Sequence, residues 1–356
     1  PPPPPPPFSR RRRHTRSYLK SRGLGDVYKR QVCVAAVQAT PVVLDAEATV
    51  DKAIDLLGDA ADRGASLVVF PECFVSVYPS GAWAAQAASW AEGCDDLWER
   101  MWASSIDVRG PLVDRLATAC AERGVHVAIG INEREDDRPG SLYNTLLVIG
   151  GEGVLHRHRK LMPTMHERVF HGVGAGDDLS VVELPGSARV GGLICWENRM
   201  PLARWRVYEG GPQIWLAPTA DDSDGWIASM RHIAIEAGAF VVSVPQFIPA
   251  SAFPDDFPVA LPDDVDVFGR GGACIVSPGG EVCAGTWGGG VACFHGDQWE
   301  RYQTEGPAGN WVHSIVVAPD GDVWFGTRDG GVSRFDGQSW TSYTTGDGLA
   351  RNDVRS

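Results

Sequence analysis

RVGGLICWENRMP, Arg189–Pro201, is an apolar run that stops at a cysteine and resumes as a helix start. Val190 to Ile194, with Gly191 and Gly192, reads as a buried strand, and Pro201 falls near the first helical position, where helices prefer it. Cys195 therefore leaves a strand end close to a helix N-terminus. Backbone N–H groups and the positive end of the helix dipole favour thiolate over thiol there. A free thiol has a pKa of about 8.5, so a nucleophile working near neutral pH needs such help. One cysteine taken alone is more often a small buried hydrophobe. What matters is which groups other strand ends bring to it.

Outward from this corner, strands alternate with helices. Upstream, VCVAAVQAT (32–40), SLVVFPE (66–72), VHVAIGINE (125–133), LYNTLLVIG (142–150) and GVLHRHRK (153–160) read as strands, the last two as a hairpin through Gly150–Gly153. DAEATVDKAIDLLGDAADRGA (45–65) reads as an amphipathic helix with Ala53, Ile54, Leu57 and Ala61 on one face, and PLVDRLATACAERG (111–124) as another. Downstream, PLARWRVYEGG is helical, IWLAPTA a strand, WIASMRHIAIEAG a helix and AFVVSVPQF a strand, before a hairpin in RGGACIVSPGGEV (270–282). Such alternation predicts an α/β protein with chemistry at strand ends.

Composition narrows the function. The chain has 356 residues, 44% hydrophobic and 22% charged, as in a globular protein. No apolar run approaches the ~18 residues that suggest a membrane span, so no membrane partner is expected. The net charge is −13, and residues 1–31 carry nine Lys/Arg against one Asp, or +8, which leaves −21 (−13 minus 8) for the rest. Nucleic acid is therefore not the expected partner. The eight cysteines form no CxxC pair, which points to a reducing, cytoplasmic setting.

Three motifs carry the chemistry: FPE (Phe70-Pro71-Glu72), HRK (His158-Arg159-Lys160) and CWEN (Cys195–Asn198). Each charged residue alone reads as a solvated surface group. In this order and spacing they resemble the Glu–Lys–Cys set of the nitrilase branch of the carbon–nitrogen hydrolases, over about residues 32–286. The resemblance implies a four-layer α-β-β-α sandwich. It implies a hydrolase acting on carbon–nitrogen bonds other than peptide bonds, with a small-molecule nitrile as substrate, ammonia and a carboxylic acid as products, and no cofactor. Glu72 would be the general base, Lys160 the stabiliser of developing negative charge and Cys195 the nucleophile. Glu133 in GINERE matches the family's second glutamate, which orients the lysine or the substrate. Tyr78, His166 and Trp196 are candidates for lining the pocket, although aromatic residues near strand ends are more often plain core. His156 and His158 lack a third ligand at suitable spacing, so no metal is expected. CWENRMP, PTADDSDGW and SMRHIAIEAGAFV fit the nitrilase branch. An aliphatic amidase or cyanide hydratase would share the same three residues. Family members assemble as homo-oligomers of at least dimer size, which is expected here if the altered C-terminus permits.

Both ends depart from this pattern. Residues 1–31, seven prolines and then a basic run, read as a disordered or artefactual extension, because they cannot bury enough apolar surface to offset the entropy of ordering. Residues 287–356 continue a repeat. Val291, Phe294, Trp299 and Tyr302 recur as Val332, Phe335, Trp340 and Tyr343, each 41 residues on (332 − 291), and SPGGEVCAGT (277–286) lies over APDGDVWFGT (318–327) at the same offset. That period, with glycine turns and aromatic strand residues, resembles two-component-regulator propeller repeats, and implies an incomplete β-propeller-like all-β tail with too few blades to close. A rival reading from another class follows: a propeller-type sensor or binding protein whose hydrolase part is non-functional.

Overall fold

The structure is a computed structural model. It describes residues 32–354 apart from 90–91, 136, 186–187, 287–289, 296–297, 303–307, 310–311, 318–322 and 337–338. The extension at 1–31 lies outside the described residues. Two stretches of strand–helix–strand each build a sheet. The first gives β1 (Val34–Ala36), α1 (Ala46–Asp62), β2 (Leu67–Val69), α2 (Gly81–Ala84), α3 (Cys94–Ala103), α4 (Pro111–Arg123), β3 (His126–Arg134), β4 (Leu142–Gly150) and β5 (Gly153–Arg159). Its sheet runs in the order β1-β2-β3-β4-β5. The first three strands are parallel and the last two fold back antiparallel.

The second stretch gives β6 (Val182–Glu183), β7 (Arg189–Gly192), α5 (Pro201–Tyr208), β8 (Ile214–Thr219), α6 (Asp224–Ala237) and β9 (Phe240–Pro245). A small pair, β10 (Phe247–Pro249) with β11 (Val267–Arg270), precedes β12 (Cys274–Val276), β13 (Val282–Thr286), β14 (Gly290–His295) and β15 (Gln298–Tyr302). The sheet order is β15-β14-β13-β12-β9-β8-β7-β6, with β7, β8 and β9 parallel and β12 turning back along β9.

Side-chain parity turns these two sheets into layers. In β3, Val127, Ile129 and Ile131 pack against α1 and α4 through Val50, Ala53, Leu57, Val113 and Leu116. The alternate residue Ala128 joins Leu67, Val69, Leu146 and Val148 in a core shared with Val190, Ile214, Leu216, Val242 and Val244 of the second sheet. Trp215, Ala217 and Val241, on the far face of that sheet, pack on Trp226, Met230 and Ile233 of α6. The order is helix, sheet, sheet, helix, in agreement with the expected α/β architecture. Helix α1 starts where Asp45 Oδ1 accepts the Ala48 N–H at 2.9 Å. Its apolar stripe is Val50, Ala53 and Leu57, each fully buried; replacing a buried leucine by alanine costs about 2–5 kcal/mol.

The 41-residue repeat is visible in the backbone. A separate four-stranded antiparallel sheet runs β16 (Val312–Val317), β17 (Val323–Thr327), β18 (Val332–Phe335), β19 (Trp340–Tyr343). Its register pairs Val317 with Val323, Val323 with Phe335 and Phe335 with Trp340. Subtracting 41 gives Val276 with Val282, Val282 with Phe294 and Phe294 with Trp299, which are the pairs seen across β12, β13, β14 and β15. The first copy is thus built into the eight-stranded sheet, sharing β12, and the second stands as its own meander. The described strands close no ring.

The sequence suggests that Trp287, Phe294, Trp299, Trp324 and Phe325 lack partners. Phe325 is in fact fully buried, 5.0 Å from the Trp340 ring, and Phe335 lies 4.9 Å from Trp340. Trp324 stacks on Tyr343 at 5.7 Å. Trp287 and the side chains of Phe294 and Trp299 lie outside the described residues. Hydrogen bonding of β13–β15 to the main sheet moves the expected end of the protease-resistant core from about 286 to beyond Tyr302. Limited proteolysis with mass mapping should make its first cuts after Tyr302. First cuts between 277 and 290 would show that the shared sheet is not cooperative with the rest.

Candidate active site

The same parity places the charged residues. Leu146 and Val148 of β4 face the space between the sheets, so Asn144, two residues earlier, faces it too. His158 pairs with Leu146 across β4–β5, and Lys160, two residues further on, shares that face and donates its backbone N–H to Asn144 O at 2.8 Å. Lys160 is fully buried. Its Nζ lies 2.7 Å from Glu72 Oε1 and 2.6 Å from Glu167 Oε2. Asn144 Nδ2 donates to the other side of the same pair, at 2.7 Å to Glu72 Oε1 and 2.7 Å to Glu167 Oε1. One ammonium and one amide therefore clamp two buried carboxylates.

Glu72 reaches this point because β2 ends in Phe70-Pro71 and the chain turns over β3. Pro71 O accepts the Gly130 N–H at 3.1 Å, and Gln246 Nε2 donates to Glu72 O and Cys73 O at 2.8 and 3.0 Å. A Cβ on Gly130 would stand 2.4 Å from Pro71 O and 2.7 Å from Glu72 Cα, so only glycine admits the loop. Among the described residues, Glu72 Oε2 has no hydrogen-bond partner.

Cys195 sits at the end of β7 on the first residue of a single 3₁₀ turn, Cys195–Arg199, with φ +52°. Such a φ is strained for a non-glycine residue and costs of order 1–3 kcal/mol. Asn198 holds the corner: its Nδ2 donates to Leu193 O and Cys195 O at 2.7 and 2.9 Å, and its Oδ1 accepts Trp215 Nε1 at 2.7 Å. Thr219, at the end of β8, donates Oγ1–H to Cys195 Sγ at 3.3 Å.

The electrostatics correct one expectation. Burial, followed by the negative charge of Glu72, pushes the Cys195 thiol up to about 12, against the opposing pull of Lys160. A five-residue 3₁₀ turn is too short to supply a strong dipole, and the thiol is nearly inaccessible. The resting sulfur is a thiol that needs a base. Burial raises the Glu72 carboxyl above its ordinary value despite Lys160, which makes it a stronger proton acceptor. For Glu167 burial acts the same way, but Lys160 and His171 outweigh it and hold the group below the usual carboxylate range. Lys160 resists its own burial through Glu72, Cys195 and Glu167, and stays well above the ordinary lysine value.

The other candidate residues divide. Glu133 is not in this cluster. It follows Val127, Ile129 and Ile131 in parity and so faces away from the inter-sheet space, where Arg159 holds it at 3.0 and 2.6 Å and Thr145 Oγ1 donates at 2.6 Å. Glu167 occupies the place beside Lys160. Its signal in the sequence is Thr164-x-x-Glu167, the capping-box spacing, and its Oε2 does accept the Thr164 N–H at 2.7 Å. Tyr78 is at the site, with Lys160 Nζ 5.9 Å from its ring centre. His166 is half-buried, and a Cβ on Gly81 would stand 2.7 Å from its Nδ1. Trp196 is 41% exposed and donates Nε1–H to Asp221 Oδ2 at 2.8 Å, so it belongs to the surface. Asn144, Gln246 and Thr219 carry no charge and sit in strands or, for Gln246, between two of them, so nothing in their local sequence marks them. Among the described residues no group of His, Cys, Asp and Glu is arranged to hold a metal.

Comparison with known proteins adds an independent line. The sequence profile described as carbon-nitrogen hydrolase matches residues 33–292. The chain is 44% identical over 254 residues to an aliphatic nitrilase of Sinorhizobium fredii (strain HH103), covering 70% of this chain and 81% of that protein. It is 41% identical over 262 residues to the bifunctional nitrilase/nitrile hydratase NIT4B of Nicotiana tabacum, covering 71% and 74%. Among solved structures it resembles a double mutant of the amidase from Nesterenkonia sp. AN1 in complex with acrylamide, with a TM-score of 0.53 and 19% identity over 74% of this chain and 86% of that one. The likeness to XC1258 from Xanthomonas campestris is similar, with a TM-score of 0.52 and 20% identity over 70% and 84%. Likeness at that identity concerns the fold alone.

Gly130→Ala should displace the Glu72 loop, with a loss of about 1–3 kcal/mol in denaturant unfolding, the range for overpacking a filled core. The loss should come with a lower rate of Cys195 alkylation, read by mass spectrometry. Unchanged stability would mean that the loop moves freely over β3.

Proposed function

The chain belongs to the carbon–nitrogen hydrolase family, and on that premise we propose that it is a nitrilase, converting an organic nitrile to the carboxylic acid and ammonia. The observation that carries this reading is the buried Glu72–Lys160–Glu167 cluster, with Glu72 Oε2 unengaged among the described residues and its charge the largest acting on the Cys195 thiol. In the proposed reaction Glu72 takes the Cys195 proton as sulfur attacks the nitrile carbon, and the proton passes to the nitrile nitrogen to give a thioimidate. Lys160 stabilises the charge that builds on nitrogen. Glu72 then activates water, whose addition gives a tetrahedral intermediate. Cleavage of its C–N bond releases ammonia and leaves a thioester, and a second water frees the acid. Glu167 takes the part first expected of Glu133, holding Lys160 in place. Tyr78 and His166 are proposed to line the substrate's approach.

A partial reaction also has support, because a relative is named as a bifunctional nitrilase/nitrile hydratase. Collapse of the tetrahedral intermediate by loss of sulfur instead of ammonia gives the amide. The sensor reading of the chain is disfavoured by an intact charged cluster. We further propose that a hydrolase domain is followed by propeller-like repeats, the organisation expected as 32–286 and 287–356; the 41-residue register repeat supports the repeats, the first copy of which shares its strands with the hydrolase sheet. Homo-oligomer formation has support in α5, where Leu202 and Trp205 are 86% and 66% exposed. No described helix is long and apolar enough to cross a membrane, and the cytoplasmic location rests on cysteine usage.

A panel of aliphatic, aromatic and arylaceto nitriles, with acid, amide and ammonia quantified, tests the reading. Acid with equimolar ammonia is expected, with turnover abolished in Cys195→Ala and Glu72→Gln. The acid limb of kcat/KM should lie above the ordinary glutamate range of about 4.3, because activity is lost as Glu72 protonates and burial raises that step. Turnover in Cys195→Ala above background would overturn the nucleophile, and amide as sole product would make the enzyme a hydratase.

A further inference from the structure

One buried carboxylate bridges the two halves of the site. Glu197 is fully buried, two residues after Cys195. Its Oε1 accepts the Leu161 N–H, next in chain to Lys160, and its Oε2 accepts the Ile194 N–H, next to Cys195, at 2.8 Å. Leu161 follows the last strand of the first sheet and Ile194 follows β7 of the second. The same Oε2 lies 3.0 Å from His158 Nε2, and His158 Nδ1 lies 2.7 Å from Asp178 Oδ1. Asp178 Oδ2 in turn accepts the Arg159 N–H at 2.9 Å. His158 is 1% exposed, with a carboxylate oxygen against each ring nitrogen. Both nitrogens must donate, so the ring is an imidazolium.

We propose that Glu197, held by the His158 cation, is a positioning residue that fixes the Lys160 and Cys195 backbones relative to each other. A carboxylate this deep calls for a counter-charge beside its two backbone donors. His158 supplies that charge, and Asp178 holds His158. The proposal rests on the reading of Lys160 and Cys195 as parts of one reacting set.

The arrangement has a pH signature. Burial works against the charged ring, but hydrogen bonds and charge from Asp178 and Glu197 raise His158 from 6.5 to about 9. The other titratable group near it is His156 on its own strand, which burial and then the His158 charge hold below its ordinary value. Across the sheet its neighbour is Leu146, which does not titrate. Because the folded value is raised, the brace is intact at neutral pH and fails as pH rises through about 9, when one ring nitrogen loses its proton and faces a carboxylate unshielded. Lys160 titrates far higher and Cys195 at about 12, so a limb near 9 belongs to His158.

The test uses the full chain with Asp178→Asn and His158→Gln. Asp178 keeps 20% exposure, so its change leaves the core filled. In the wild type, kcat on the best nitrile of the panel should fall along an alkaline limb near 9 with little change in KM. Asp178→Asn should move that limb down by about one unit or more, the usual effect of losing an adjacent opposite charge. His158→Gln should lower kcat about tenfold to a hundredfold at neutral pH, as displaced reacting groups do, and abolish the limb. If no nitrile is turned over, the proposed function fails but the brace is still tested: the pH profile of Cys195 alkylation must show the same Asp178→Asn displacement. An Asp178→Asn profile that superimposes on the wild type, in turnover or in alkylation, overturns the proposal, as does wild-type kcat in His158→Gln.

Discussion

A single buried ammonium governs this structure. Lys160 has no water to solvate it, and burial of a lone charge costs several kcal/mol even after the protein relaxes. Two carboxylates therefore have to meet it, and both are buried for the same reason. Two carboxylates around one ammonium leave an excess negative charge, which Asn144 and Thr164 share through N–H donors to Glu72 and Glu167. The asymmetry between the two acids follows. Glu167 has Lys160, Asn144, the Thr164 N–H and a His171 ring nitrogen 3.4 Å away, and it is held ionised. Glu72 has Lys160 and Asn144 on one oxygen and nothing described on the other. Of two similar carboxylates, environment lowers the pKa of one and raises that of the other.

Much of this was legible in the sequence. Strand–helix alternation gives the α/β class, and the three motifs identify Glu72, Lys160 and Cys195 as residues at strand ends that the fold brings into one region. Where the reading failed, the reasons are physical. The resemblance points to Glu133 in GINERE as the second glutamate, yet strand parity places it with Ile129 and Ile131 on the face beneath the helices. In PTMHER the residue that stands out as a pocket candidate is His166, although Thr164-x-x-Glu167 has the capping-box spacing. A helix terminus favours thiolate, but burial dominates at a 3% exposed sulfur. Asn144, Gln246 and Thr219 were beyond reach, because their roles depend on which strand lies opposite.

The repeat in the tail shows how sequence periodicity and fold can divide. A meander needs only antiparallel neighbours and a suitable register, and β12 offers both to whatever follows it. The first copy accordingly extends the hydrolase sheet, while the second forms a sheet of its own and brings Phe325, Phe335 and Trp340 into ring contact. The same 41-residue pattern is thus stabilised in two ways.

Backbone strain marks the same region as the charges. The described non-glycine residues with positive φ are Leu44, Cys73, Met165 and Cys195. Cys73 adjoins Glu72, Met165 lies two residues before Glu167, and Cys195 is the proposed nucleophile. Each such residue costs of order 1–3 kcal/mol, so all three persist only where neighbours over-determine them. The neighbours are identifiable: Gln246 holds the Cys73 carbonyl, the Glu167 carboxylate closes its own turn on Thr164, and Asn198 with Glu197 pins the residues around Cys195. None of these restraints is an apolar contact. The apolar cores supply the stability, and a buried polar lattice spends part of it on holding Glu72, Glu167 and Cys195 in place.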